Sequence, residues 1–312
     1  MTARILNGEP IAAIIRNELA TEIAALKSAG IVPGLAAVLV GENPASQIYV
    51  RSKVKTCEAL GLYSEQIELP ATTRTEELLR LVRDLNARNE IDGILVQLPL
   101  RPQVDAKAVL LAVDPAKDVD GFHPINIGNL VSGRPGVVPC TPAGIIQLLE
   151  RSNIPVRGAR AVVIGRSDTV GKPLAMLLLH KNATVTICHS QTPHLSAVTR
   201  EADLLVAAIG KPALVSWDFI KPGATVIDVG TTRLTRPEEV RAAFHEPLEA
   251  LERLAVRGSI LVGDVQAEDV KEIAGAYAPV PGGVGPLTIA MLMSNTVGAA
   301  RLRRGNSLKS QI

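Results

Sequence analysis

Six short apolar runs, rich in valine, isoleucine and leucine, constrain the fold of this chain more than any other feature. They are LAAVLVG (35–41), DGILVQLPL (92–100), ARAVVIG (159–165), ATVTICH (183–189), ADLLVAAIG (202–210) and ATVIDVG (224–230). None alternates between apolar and polar residues. Continuous apolar runs of this length suit strands buried on both faces, which means parallel sheet covered by helices. Helix-length segments lie between the runs, so the order is βαβα and the fold class is α/β. At 312 residues the chain suits two domains of ordinary size.

Helix signals refine this outline. Residues 10–29 read as a helix stopped by Gly30, and 74–88 as another capped by Thr73 or Thr75. The clearest signals flank 44–60, where Asn43 is a natural N-cap, Pro44 suits the first helical position and Gly61 the stop. Tyr49 and Lys53 then lie one turn apart on one face. Residues 112–142 are rich in Pro, Gly and Asp and read as a long irregular connection between two βα blocks. The boundary falls near 140. The first domain therefore spans 1–139 and is completed by a C-terminal helix over 286–312, expected to pack back on it. The second domain, 140–285, is a Rossmann-like doubly wound parallel sheet. The charged, helix-prone stretch 236–258 reads as a surface insertion.

Composition excludes several functions. Net charge is +2 with scattered basic residues, and aromatics make up 2%, so the electrostatic footprint and the stacking platforms of a nucleic-acid binder are both missing. No apolar run approaches the ~18 residues of a membrane span. The opening MTARILNGEP lacks an apolar targeting core, and a cytoplasmic location is expected. Cys57, Cys140 and Cys188 lie far apart without a CxxC pair and read as reduced thiols. Five dispersed histidines without HExxH, and Cys188 and His189 on opposite faces of one strand, argue against a metal.

Four segments carry possible chemistry. AVVIGRSDTVGKPLAMLLL runs from a strand through Gly165, Arg166 and Ser167 to a helix opening at Gly171, where free N–H groups and the helix dipole make an anion site. The spacing is not GxGxxG, and a plain strand-to-helix turn is the alternative. The next strand ends in His189 and Ser190, where dinucleotide domains usually place an acid for the ribose 2′-hydroxyl. Without that carboxylate, and with Arg166 in reach, a 2′-phosphate and hence NADP is favoured over NAD; a solvated turn arginine is the alternative. DVDGF (118–122) sets two acids before a glycine, and solvated turn carboxylates are its bland explanation. PVPGGVGPLT (279–288) is stiff and tightly bent, open either to a flat ligand or to a domain crossover. Tyr49 and Lys53 alone would be a surface pair. Gln97 changes this, because it interrupts an apolar strand at its carboxyl end and, if buried, needs a partner that Lys53 could supply.

Taken together, NPASQIYVRSKVKTCEALG, DGILVQLPL, PAKDVDGFHPINIGNL, PCTPAGI, VVIGRSDTVGKPLAMLLL, ATVTICHS, ADLLVAAIGKP, VIDVG and PVPGGVGPLTIAML resemble, over almost the whole chain, the bifunctional methylenetetrahydrofolate dehydrogenase/methenyltetrahydrofolate cyclohydrolase family, called FolD in bacteria. The resemblance implies a cytoplasmic enzyme of one-carbon metabolism and purine biosynthesis. Its subunits would form a homodimer, each with a cleft between its two domains that takes tetrahydrofolate derivatives, with NADP as cofactor and no metal. By position, Tyr49 would stack on the folate ring, Lys53 would be the catalytic amine, Gln97 would hold it beside Leu98, and Asp120 would bind the pterin amino edge. Gly165, Arg166, Ser167 and Ser190 would hold NADP, and Pro281, Gly282 and Gly283 would border the folate.

The implied chemistry is oxidation of 5,10-methylenetetrahydrofolate to the 5,10-methenyl cation, followed by hydrolysis to 10-formyltetrahydrofolate. The first step demands geometry, the second proton transfer. Lys53 can serve only if its pKa is drawn toward neutrality, and burial beside a cationic substrate acts in that direction. Two departures stand out: DVGTT puts Thr231 where the family has isoleucine, leaving a backbone contact to the cofactor possible, and the 236–258 insertion is longer than usual. A monofunctional NAD(P)-dependent dehydrogenase on the same scaffold and a catalytically silent nucleotide-binding subunit are the alternatives.

Overall fold

The structure is a computed structural model that describes residues 2–244 and 246–305. Position 245 of the insertion and 306–312 of the expected terminal helix lie outside the described residues. The chain divides into two compact units, Ala13–Cys140 with Ile289–Ile312, and Met1–Ala12 with Thr141–Thr288.

In chain order the first half carries β1 (Arg4–Ile5), α1 (Gly8–Ser28), β2 (Gly34–Val40), α2 (Pro44–Leu60), β3 (Tyr63–Leu69), α3 (Thr75–Ala87), β4 (Gly93–Val96), α4 (Ala106–Ala112) and α5 (Pro124–Val131). β3, β2 and β4 pair in that order, all parallel. The central strand β2 is buried at every position, as a strand covered on both faces must be. β3 has no counterpart among the six apolar runs. It is an edge strand whose serine, glutamates and glutamine stay half-exposed, so its composition is that of a loop.

α2 ends as its sequence dictates. The Asn43 Oδ1 accepts the Ser46 N–H at 3.1 Å. Gly61 takes φ 71° and its N–H donates to Glu58, while Leu62 donates to Cys57, both at 2.9 Å. These two bonds satisfy carbonyls that the helix end would otherwise leave unpaired. α3 differs from expectation at its start. Arg74 occupies the cap position, its N–H donating to Glu77 at 2.8 Å, because the Thr75 hydroxyl is engaged by the Asp105 N–H at 3.0 Å. The expected irregular connection also contains α5, which forms because Pro124 is preset for a first turn and the His123 Nδ1 accepts the Ile125 N–H at 3.1 Å.

The second half carries α6 (Cys140–Arg151), β5 (Arg160–Ile164), α7 (Gly171–His180), β6 (Thr184–Cys188), α8 (Leu195–Thr199), β7 (Leu204–Ala207), β8 (Thr225–Asp228), β9 (Thr232–Leu234), α9 (Pro237–Ala243), α10 (Leu248–Arg257), β10 (Ile260–Val262), α11 (Ala267–Ile273), β11 (Ala276–Ala278) and α12 (Gly285–Arg304). Its sheet runs β1-β11-β8-β7-β5-β6, parallel throughout, around a core including Val162, Ile164, Leu205, Val226 and Tyr277. The chain's first residues join this sheet, Arg4 opposite Ala276 and Ile5 opposite Tyr277, which puts residues 1–12 in this unit instead of with the rest of 1–139. Two residues are too few to register as an apolar run. The insertion is more organised than a charged surface stretch: α9 and α10 cover the antiparallel β9–β10 ribbon, with Val240 and Leu254 packed on Leu234, Ile260 and Val262.

Two buried charges tie the first unit together. Asp92 is fully buried and meets Arg303 at 2.6 Å and Arg304 of α12, and also accepts the Gly34 N–H at 3.1 Å. Lys117 caps the end of α3, donating to the carbonyls of Leu85, Asn86 and Arg88 at 3.0, 2.7 and 2.6 Å, and burial pushes its ammonium down to about 8. Removing one partner of a buried pair strands the others. Asp92→Ala is therefore expected to lower unfolding free energy by about 3 kcal/mol in urea titration; a loss under about 1 kcal/mol would show the arginines to be solvated.

Candidate active site

The face of α2 that carries Tyr49 dips progressively into the first unit. Exposure falls from 38% at Tyr49 to 8% at Lys53 and 0% at Cys57, each one turn further on. The ring thus stands at the surface and the amine just beneath. The Lys53 Nζ donates to Gln97 Oε1 at 3.1 Å. Gln97 follows β4, its own N–H donating to Val38 O at 2.9 Å, so the strand ladder sets its backbone. Its Nε2 donates to Leu98 O at 2.7 Å, which fixes the amide with its oxygen toward the lysine. A buried amine and a half-buried carboxamide therefore satisfy each other at the carboxyl end of a parallel strand.

The two acids of DVDGF have separate fates. Asp118 is buried, and its carboxylate accepts the N–H groups of Gly121, Phe122 and His123 at 3.2, 3.2 and 2.8 Å and the Asn126 Nδ2 at 2.8 Å. It folds the loop, which also docks on β4 through Ile94 N–H to Lys117 O at 2.8 Å. Asp120 accepts no hydrogen bond among the described residues. Burial pushes its carboxyl up to about 6; the Lys53 ammonium works against that shift and Asp118 adds to it.

Two members of this cluster carried no sequence signal strong enough to single them out. The Cys140 thiol donates to Val119 O at 3.2 Å, and burial followed by Asp120 raises it well above the usual thiol range, so it stays a protonated, inert wall. The Asn295 Nδ2 on α12 donates to Val119 O at 2.9 Å and Val138 O at 3.0 Å, bracing the loop behind Asp120. A lone asparagine in an apolar helix was the available hint.

The second group of candidates lies in the other unit. β5, β6, β7 and β8 are parallel neighbours, so Gly165, Ser190 and Thr231 follow strand ends on one edge of the sheet, where α/β folds bind ligands. Gly165 has φ 127°, and a Cβ there would fall 2.2 Å from Ala208 O; one on Gly171 would fall 2.2 Å from Gly165 O. Only glycine permits so tight a turn into α7. The Ser167 Oγ accepts the N–H groups of Val170 and Gly171 at 3.2 Å each, leaving its proton to donate elsewhere. Arg166 and Ser190 are exposed, and Arg166 carries no ion pair among the described residues. The turn after β6 is closed by His189, whose Nδ1 accepts the Gln191 N–H at 3.2 Å, and it contains no acid. An exposed guanidinium, hydroxyls and a glycine turn at a helix start form a donor set that fits a phosphorylated dinucleotide.

Pro281, Gly282 and Gly283 belong to this same unit. The Gly283 N–H donates to Pro279 O and the Gly8 N–H to Gly282 O, both at 2.8 Å, so the loop is pinned to the start of α1. Among the described residues no cluster of His, Cys, Asp or Glu could hold a metal ion, and no helix is long and apolar enough to cross a membrane.

Comparison with known proteins covers both units. Residues 6–120 match the tetrahydrofolate dehydrogenase/cyclohydrolase catalytic domain, and 139–304 match the NAD(P)-binding domain of the same family. The bifunctional protein FolD of Koribacter versatilis is 61% identical over 99% of this chain and 100% of its own length, and that of Solibacter usitatus 61% identical over 97% and 99%. Among solved structures, the bifunctional FolD of Campylobacter jejuni superposes with a TM-score of 0.86 at 43% identity, covering 96% of this chain and 99% of its own. The Trypanosoma brucei enzyme, complexed with NADP cofactor and an inhibitor, gives 0.87 at 39% identity, covering 97% and 98%.

The raised Asp120 carboxyl has a consequence for stability. Its folded value near 6 lies above the unfolded ~3.9, so ionising it costs stability above pH 6 and nothing below pH 4. Asp120→Asn removes that cost. The variant is expected to gain on the order of 1 kcal/mol at pH 7.5 and none at pH 4 in thermal unfolding; equal stability to the parent at pH 7.5 would show a solvated carboxylate.

Proposed function

The chain belongs to the tetrahydrofolate dehydrogenase/cyclohydrolase family, and from that premise we propose how its residues divide two reactions. The enzyme oxidises 5,10-methylenetetrahydrofolate to 5,10-methenyltetrahydrofolate with NADP and hydrolyses the product to 10-formyltetrahydrofolate. NADP, when bound, supplies the hydride acceptor. Gly165 lets the backbone approach its phosphates, Arg166 and Ser190 take the 2′-phosphate, Ser167 donates its remaining proton, and the backbone at Thr231 borders the cofactor.

On the folate side Tyr49 stacks on the ring system at the surface, and Asp120 accepts from the pterin amino edge with a carboxylate that takes no hydrogen bond among the described residues. Leu98, Pro281, Gly282 and Gly283 line the substrate. Water adds to the methenyl carbon and the bond from that carbon to N5 breaks; the Lys53 amine relays one water proton to N5 while the other leaves to solvent, which gives the 10-formyl product. Gln97 occupies one N–H of that amine and holds it in place. The observation that carries this assignment is the 3.1 Å bond from the buried Lys53 Nζ to Gln97 Oε1, beside an acid that the lysine charge perturbs. Lys53→Met is expected to lower cyclohydrolase turnover by ~10²-fold or more, the usual worth of a positioned proton-transfer group, while NADP affinity stays unchanged in calorimetry. Unchanged hydrolysis in that variant would refute the role.

The enzyme works in the cytoplasm as a homodimer. Support for the dimer comes from β6, an edge strand of the six-stranded sheet whose Ile187 is 36% exposed. Unpaired, apolar strand edges invite a second copy. Sedimentation should give a dimer and Ile187→Lys a monomer; a monomeric parent would reject the dimer, and a dimeric variant would reject the β6 face.

A further inference from the structure

Two fully buried carboxylates in the second unit play no part in the chemistry above. Asp228 ends β8, and Asp264 follows β10. Asp228 Oδ1 accepts the N–H groups of Gly230 at 3.0 Å and Asp264 at 2.8 Å, and its Oδ2 accepts that of Val265 at 3.2 Å. The backbone of Asp264 is gripped from the other side too, its carbonyl accepting the Val215 N–H at 2.9 Å while Gln266 donates to Val215 O at 2.8 Å.

From this mount Asp264 touches two loops at the ligand-binding edge of the sheet. Its Oδ2 accepts the N–H groups of Ile209 and Gly210, just after β7, at 2.6 and 2.9 Å. Its Oδ1 is buried with no hydrogen-bond partner among the described residues and is backed by Gly230, where a Cβ would fall 2.3 Å away. Gly230 immediately precedes Thr231. A buried carboxylate oxygen left without a donor is costly, and two neighbouring acids add to the cost. Burial pushes Asp228 up to about 7; the Asp264 N–H works against that shift and the Asp264 carboxylate adds to it. Among the described residues the fold therefore retains an unsatisfied carboxylate oxygen at that edge of the sheet, which points to a task there.

The strand order locates the task. β5 and β6 carry Gly165, Arg166 and Ser190, the phosphate and adenosine end in the cofactor assignment above, on which this inference rests. β7 and β8 lie on the opposite side of β5, so the loops that Asp264 joins serve the other end of the dinucleotide. We infer that Asp264 is a positioning residue for the nicotinamide end of the cofactor, holding the loops after β7 and β8 as one surface. Asp228 in turn holds Asp264.

Three measurements test this on the full-length protein: amide hydrogen exchange without ligand, and calorimetric titration with NADP and with 2′,5′-ADP, which carries only the adenosine end. In Asp264→Ala, exchange at Ile209 and Gly210 should speed up by ~10-fold or more as those amides lose their acceptor. NADP affinity should fall ~10-fold while 2′,5′-ADP affinity stays within about twofold. Asp264→Asn, whose amide oxygen can accept the same two N–H groups, should restore both. Protected amides with parental NADP affinity in Asp264→Ala would overturn the inference, as would equal loss of both ligands, which marks a general structural role. If Asp264→Ala does not fold, Gly230→Ala must give the same split between ligands, because its methyl carbon would press on Asp264 Oδ1. A parent protein that binds neither ligand would sink the cofactor assignment itself, whereas the exchange result would still report on the loops.

Discussion

Parallel sheets end in loops whose backbone N–H groups point inward with no strand to receive them, and this protein meets that constraint with carboxylates. Asp118 gathers three N–H groups and an asparagine amide, Asp228 gathers three N–H groups, and Asp264 gathers two. A buried N–H left unpaired costs as much as a lost hydrogen bond, and a carboxylate can answer several at once. Each acid thereby converts a flexible connection into a surface of fixed shape at an end of a sheet where ligands bind.

The proposed folate site depends on this arrangement directly. Asp118 is committed to the backbone, whereas Asp120, two positions on, accepts no hydrogen bond among the described residues and feels the Lys53 charge. The two acids thus differ in role, one organising the loop and one left without a donor. Cys140 and Asn295 close the wall behind them. Lys53 is held from another direction by Gln97, whose amide is locked in orientation by the next carbonyl along the chain. The positions of these groups follow from backbone geometry more than from contacts between the reactive groups themselves.

Exposure along α2 adds a gradient to this site. A ring at the surface, an amine one turn below and a buried thiol below that stand at successive depths of one helix face, the order that the proposed stacking and proton transfer require. In the second unit the tight glycine turn at 165–171 opens a helix start and the turn after β6 contains no acid, both of which suit the proposed NADP site.

Much of this was legible in the residues alone. Apolar runs specify buried parallel strands because side chains on both faces must be apolar, and all six became parallel strands, five of them buried; β6, with Thr184 and Thr186 between its apolar residues, is instead a largely exposed sheet edge. Asn43 and Gly61 set the ends of α2 through local hydrogen bonds, so the one-turn spacing of Tyr49 and Lys53 followed without tertiary information. The sequence could not reveal β3, whose half-exposed edge needs no apolar pattern, or β1, whose two residues are strand only because β11 is there to pair with. Nor could it separate Asp118 from Asp120, or mark Asp228 and Asp264 at all. The fate of an acid is decided by which N–H groups and charges surround it after folding, and those come from segments far apart in the chain; local pattern determines elements, but only tertiary packing decides which carboxylates are occupied and which remain available.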